Sequence, residues 1–309
     1  MVFDVLSSVV PTPEAFGYAE MTLARLRGYQ QHFGSPRDKI PLAGDSATQQ
    51  RVMEESYQRG VGMCPDEERF MAMLDDGDVA TAVIYTEMYE TSLGVKSGSN
   101  DDVAKYVARH PDRLLGLGGV DPWKDDAVDE VHRLANDLGL RGVVVSPFKQ
   151  KLLPAEARMA RVFSACEKLG IPVFLHSGIN WWVDTTYEIG HPRHLDELAS
   201  SFPDLKIVCL HAGWPWVSDM VMVAWRHANV YLDISAHRPS HMPKDESGWG
   251  PLLYWGDRVL SDRIVFGSTW TLMSSTPAEL AGEVRALPLK DATIDKWLSG
   301  NARRLFGME

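Results

Sequence analysis

The sequence predicts a single α/β domain, a (β/α)8 TIM-type barrel. Short β-branched or apolar runs alternate with longer segments of helical period, the pattern of parallel strands joined by crossover helices. These runs number eight, which is the number a closed barrel of this type needs. No low-complexity tract or Pro/Ser-rich linker divides the 309 residues, so 1–309 reads as one domain.

The first strand is expected at residues 2–5. Residues 10–78, rich in Gln, Arg and Met, form a long insertion after it, expected as a helical lid over the barrel mouth. Asp75, Asp76 and Asp78 read as a turn into the second strand at 80–85. The third strand is expected at 114–120. It is followed by a helix over 125–138, because Val128, Val131, Leu134 and Leu138 recur at spacings of three and four. Gly139 ends that helix as a left-handed cap and leads to the fourth strand at 142–145. A helix over 155–169 turns Met159, Val162, Phe163 and Cys166 inward and stops at Gly170 before the fifth strand, 172–175. Helices at 191–201 and 216–227 precede strands six and seven, at 206–210 and 230–234. The stretch 239–257, with Gly248, Trp249 and Gly250, reads as a second loop over the site, and the eighth strand is expected at 263–266.

Composition narrows the class of partner. Hydrophobic content of 45% and charged content of 24% suit a globular protein with a large core. A net charge of -11 without any basic run argues against nucleic acid, whose phosphates demand clustered Lys and Arg. The three cysteines, Cys64, Cys166 and Cys209, form no CxxC pair, so a disulfide framework and a zinc knuckle are not expected. Cys166 and Cys209 occupy inward-facing positions and read as structural. An acidic residue, Asp4, stands where a signal peptide would be basic, and no apolar run reaches membrane-spanning length. The expectation is a cytoplasmic protein that handles a small molecule, with no membrane partner. Pairing into a homo-oligomer through helical faces is left open.

In a barrel, polar residues at the C-terminal strand ends surround one cavity and are the first site candidates. That rule selects His176 after strand five, His211 after strand six, Asp233 and Ser235 after strand seven, and Ser268 and Thr269 after strand eight. Tyr85 and Glu87 follow strand two, and Glu87 could serve as an acid or base. Lys149, with Arg238 and His237, could bind a substrate carboxylate, although each lysine or arginine alone also reads as solvated surface charge. Trp181, Trp182, Trp214, Trp216, Trp249 and Trp270 lie just past strand ends and suggest an aromatic-walled pocket. Ser8 could be a nucleophile or an anion ligand. Small hydroxyls such as Ser8, Ser268 and Thr269 equally often satisfy local backbone groups, and Asp233 suits the orientation of a loop or a neighbouring histidine.

Several of these segments carry a family resemblance. They are His-Pro-Asp-Arg at 110–113, Gly-Val-Asp-Pro at 119–122, Gly-Ile-Pro-Val-Phe-Leu-His at 170–176 and Phe-Pro-Asp-Leu-Lys-Ile-Val at 202–208 with His211. Asn-Val-Tyr-Leu-Asp-Ile-Ser at 229–235, Ile-Val-Phe-Gly-Ser at 264–268 and Asn-Ala-Arg-Arg-Leu-Phe at 301–306 complete the series. In this order the chain resembles the amidohydrolase superfamily, and within it the amidohydrolase-related family of aminocarboxymuconate-semialdehyde and resorcylate decarboxylases. The resemblance implies a metal site of Asp-x-His-x-His on strand one, a histidine on each of strands five and six, and an aspartate on strand eight. His176 and His211 match. Leu6 and Ser8 stand in place of the paired histidines, and Thr269 in place of the aspartate.

Leucine has no lone pair to donate and neutral hydroxyls are poor ligands, so no tight metal site in the family position and no other cofactor is expected, with loose binding of one ion by His176, His211 and an unmatched residue left open. Without a metal, a neutral His176 or His211 would act as base, and Ser8, Ser268 and Thr269 with nearby amides would hold developing negative charge. Metal-free relatives in the wider superfamily open lactones, so the resemblance implies hydrolysis of a small lactone, ester or amide. The alternatives are non-oxidative decarboxylation of an aromatic or enol acid, with a histidine protonating carbon, and a catalytically inactive barrel that binds a ligand.

Overall fold

The computed structural model describes residues 1–7, 62–64, 66–94, 97–180, 182, 185–273 and 275–308. Eight parallel strands run in sequence order around one sheet: β1 Val2–Ser7, β2 Val79–Tyr85, β3 Leu114–Gly119, β4 Val143–Val145, β5 Val173–His176, β6 Ile207–Leu210, β7 Val230–Asp233 and β8 Ile264–Val265. The last strand returns to the first, because the Val5 amide donates to the Phe266 carbonyl at 2.9 Å and the Thr269 amide to the Leu6 carbonyl at 2.9 Å. All eight expected strands form, and the chain folds as a TIM (β/α)8 barrel.

Helices wrap the sheet: α1 Glu67–Asp76, α2 Asn100–Arg109, α3 Ala127–Asn136, α4 Ala157–Leu169, α5 Pro192–Ser201, α6 Val217–Arg226, α7 Pro277–Arg285 and the short C-terminal α8 Asn301–Leu305. Local chemistry sets their ends. The Asp66 carboxylate caps α1 by accepting the Arg69 amide at 2.8 Å, and Thr276 with Glu279 forms a reciprocal capping box on α7. Gly170 ends α4 as a left-handed cap at φ +68°, and Gly139 has the left-handed conformation expected of it, at φ +64°.

Two apolar layers result from strand alternation. Phe3, Val5, Val83, Leu115, Val144, Phe174, Val208 and Val265 fill the barrel interior. Residues of opposite parity, among them Val143, Val173, Ile207 and Leu232, pack against helix residues such as Val131, Leu134, Val162 and Phe163.

The expected lid is corrected at its C-terminal end. Residues 67–76 are not part of a cover over the mouth. They form α1, whose Phe70, Met73 and Leu74 are buried in the layer between helices and sheet. An apolar face at helical spacing finds more burial against the barrel wall than over a polar mouth. Residues 10–61 and 65 of the predicted insertion lie outside the described residues, as do Ser8 and Trp181.

Candidate active site

The C-terminal strand ends enclose a cavity of about 290 Å³. Leu6, Tyr85, Glu87, Val144, Ser146, Phe148, Lys149, His176, Trp182, Leu210, His211, Thr269, Thr271 and Leu272 line it. Seven strand-end candidates named from the sequence therefore share one space: Tyr85, Glu87, Lys149, Trp182, His176, His211 and Thr269.

Each is placed by its strand. His176 is the last residue of β5, and the chain turns sharply at Gly178, where φ is +83° and a Cβ would collide with the Trp214 carbonyl. His211 follows β6 in a left-handed turn, with φ of +61° at His211, +45° at Ala212 and +67° at Gly213. The two imidazoles stand edge to face with centroids 4.9 Å apart. Phe148 packs against His176 at 4.5 Å and against Trp182 at 5.4 Å, making one aromatic wall.

Burial holds both histidines neutral. It drives His176 well below the ordinary histidine value, helped by the proximity of His211 and the Lys149 ammonium, and lowers His211 to about 4. A buried ion pair lines the same cavity. The Lys149 ammonium contacts the Glu87 carboxylate, whose other oxygen accepts the Ser146 hydroxyl. Burial works against the Lys149 charge, but Glu87, Tyr89 and Tyr85 outweigh it and keep its pKa above the ordinary lysine value.

The remaining candidates are spent on structure. Thr269 lines the cavity, yet its hydroxyl accepts the Ala236 amide at 2.9 Å and ties the β7 and β8 loops together. Ser268 is buried with its hydroxyl donating to Asp4 at 2.5 Å and its amide to the same carboxylate at 2.8 Å. Asp233 is fully buried behind His211, and burial pushes its carboxyl up to about 7.

Arg238 is a correction. It does not face the cavity, because Glu283 on α7 and Ser275 take its guanidinium. Trp214, His237 and Trp249 form a separate aromatic group beside the cavity, with centroids 5.3 Å and 4.9 Å apart, and the Trp214 indole donates to the Ser247 carbonyl at 3.0 Å. Trp270 is buried in the core against Phe70, and Trp216 packs on Tyr187 and His191. Large rings next to a polar cavity gain more area by packing among themselves.

Sequence reasoning missed Ser146 and Phe148. Their signal was the β4 end itself, where Ser146-Pro147-Phe148-Lys149 continues directly from the strand.

The described residues do not fit a divalent ion. No group of three His, Cys, Asp or Glu side chains converges among them. Leu6 stands at the cavity wall, Asp4 is turned to Ser268, the Thr269 hydroxyl holds a backbone amide, and the Lys149 cation shares the space. Two imidazoles beside an ammonium are a weak donor set for a metal.

The family description "Amidohydrolase" matches residues 44–308. Gamma-resorcylate decarboxylase of Rhizobium radiobacter is 26% identical over 263 residues, covering 71% of this chain and 77% of that protein. An uncharacterised TIM-barrel protein from Bordetella bronchiseptica superposes with a TM-score of 0.73 at 23% identity, over 99% of this chain and 98% of its own. A dihydroxybenzoic acid decarboxylase from Polaromonas, solved with bound manganese and the inhibitor 2-nitroresorcinol, has a TM-score of 0.66 at 18% identity, over 100% and 98%. At these identities the two structures share the fold with this chain.

Proposed function

Because the chain belongs to the amidohydrolase family, we propose that it is a carboxy-lyase that removes carbon dioxide from a small hydroxylated aromatic or enol acid. One observation carries the reading: two neutral histidines and a buried lysine ammonium line one cavity sized for a single ring. The similarity to a curated decarboxylase over most of the chain favours carbon–carbon cleavage over the hydrolysis expected from the sequence.

The chemistry follows from those groups. A hydroxyl ortho or para to the carboxylate gives its proton to a neutral imidazole, and the oxygen's electron pair moves toward the carbon bearing the carboxylate. The imidazolium returns the proton to that carbon. The bond to the carboxylate then breaks, its electrons restore the ring or the enolate, and carbon dioxide leaves. The anionic product recovers its proton from solvent. Lys149 stabilises the negative oxygen throughout, and Leu6, Val144, Leu210 and Leu272 leave the carboxylate poorly solvated, which favours its conversion to a neutral gas.

The reading contains no metal step, since the donor set among the described residues does not suit one. A second reading, lactone or ester hydrolysis, is favoured by the same neutral His211, which could activate water.

A panel of hydroxybenzoates, enol acids, lactones and esters separates the two. Carbon dioxide release from an acid is expected, and it should survive chelation in a preparation holding far less than one equivalent of manganese or zinc. Acid release from lactones without carbon dioxide would overturn the lyase reading. A stoichiometric ion whose removal abolishes turnover would overturn its metal-free form. Binding across the panel without turnover would mean an inactive ligand-binding barrel.

A further inference from the structure

We propose that Asp233 and Ser235 are positioning residues that hold the His211 imidazole with its proton on Nδ1, leaving Nε2 as the bare nitrogen of the site. Neither residue lines the cavity; both act through His211.

The hydrogen bonds around Nδ1 decide the tautomer. Nδ1 lies 2.9 Å from the Ser235 hydroxyl and 3.3 Å from the Ser235 carbonyl. A carbonyl oxygen can only accept. The single hydroxyl proton of Ser235 goes to the Asp233 carboxylate, so toward the imidazole this oxygen also offers only lone pairs. With acceptors on both sides, Nδ1 carries the proton. The carbonyl is the more distant acceptor at 3.3 Å; the hydroxyl sets the tautomer as long as Asp233 is ionised and takes its proton.

The same carboxylate anchors the histidine's backbone. One Asp233 oxygen accepts the His211 amide at 3.4 Å, and the other accepts the Ser235 amide at 3.1 Å. His211 and Ala212 both sit at positive φ, a conformation strained for a residue that carries a side chain. A buried carboxylate thus holds a strained turn and, through one hydroxyl, sets the ring it presents. The three residues come from two neighbouring strand ends, β6 and β7, so the unit is built into the barrel wall.

The proposal rests on the lyase reading only for the step that His211 serves. Its first test needs no substrate. Nitrogen-15 correlation spectra of the wild-type protein should show a pyrrole-type Nδ1 and a pyridine-type Nε2 at His211, and the reverse pattern would overturn the proposal.

The second test uses Ser235→Ala, which leaves the carboxylate and both amide donors in place. Its His211 signals should shift toward a tautomer mixture. Its kcat, read on the best substrate of the panel, should fall by roughly 100-fold with KM nearly unchanged, and Ser235→Thr should restore most of it. Wild-type kcat in a folded Ser235→Ala protein would overturn the proposal. If Ser235→Ala does not fold, the wild-type spectra alone still decide. The expected tautomer together with no carbon dioxide from any acid would sink the lyase reading and leave the positioning unit standing.

Discussion

Lys149 is the residue on which charge in the cavity turns. A lysine so enclosed would normally shed its proton, and it stays charged because Glu87 lies against it. Removing one partner of a buried pair strands the other, which commonly costs about 3–5 kcal/mol. Lys149→Met is therefore expected to lower the urea midpoint strongly and to abolish turnover. The double variant Lys149→Met/Glu87→Gln should recover much of the midpoint without recovering activity, because the stranded carboxylate is gone and the ammonium is still missing. Equal loss of stability in the single and double variants would mean that the pair contributes little. Lys149 and Glu87 were legible as strand-end residues, but their contact was not. They lie 62 residues apart, and only the placing of β2 and β4 on either side of β3 brings the two strand ends together.

At the level of elements, the two ends of the barrel divide the work. The C-terminal strand ends hold the cavity, while the opposite end is plugged by the segment around α8. Phe306 stacks on Phe3 at 5.6 Å and on Phe174 at 6.0 Å. Asn301 donates to the Ile264 and Ser261 carbonyls at 2.6 and 2.8 Å, and Arg141 donates to the Phe306 carbonyl at 2.8 Å. Phe306→Ala should remove about 3–5 kcal/mol of stability, seen as a lower denaturant midpoint with an unchanged slope. Its kcat should remain within twofold of wild type under conditions where it is folded, since the plug and the cavity lie at opposite strand ends. A loss of kcat larger than the loss of folded protein would argue against this division.

For the whole molecule, the cysteines report on compactness. Cys64, Cys166 and Cys209 are all buried and free. Burial raises each thiol, Cys64 to about 11 and the other two further, and a protonated, enclosed thiol is a poor nucleophile. A thiol-reactive dye should label the native protein negligibly and should titrate all three cysteines after denaturation. Rapid native labelling of Cys166 or Cys209 would mean that the barrel opens far more readily than its packing implies. No helix among the described residues is long and apolar enough to cross a membrane.

The sequence by itself determined the eight strands, their order and the helix stops, because these depend on local chemistry: alternation of apolar residues, caps and left-handed glycines. It also brought His176, His211 and Glu87 onto a short list, since a strand end is a local feature once the barrel is recognised. Only the tertiary structure decided which candidates meet. Arg238 is drawn away by Glu283, 45 residues later. Ser268 is held by Asp4 from the other end of the chain, and four of the tryptophans pack outside the cavity. Which partner satisfies a buried charge or hydroxyl depends on residues brought near by the fold, and that competition has no signature in the neighbouring sequence.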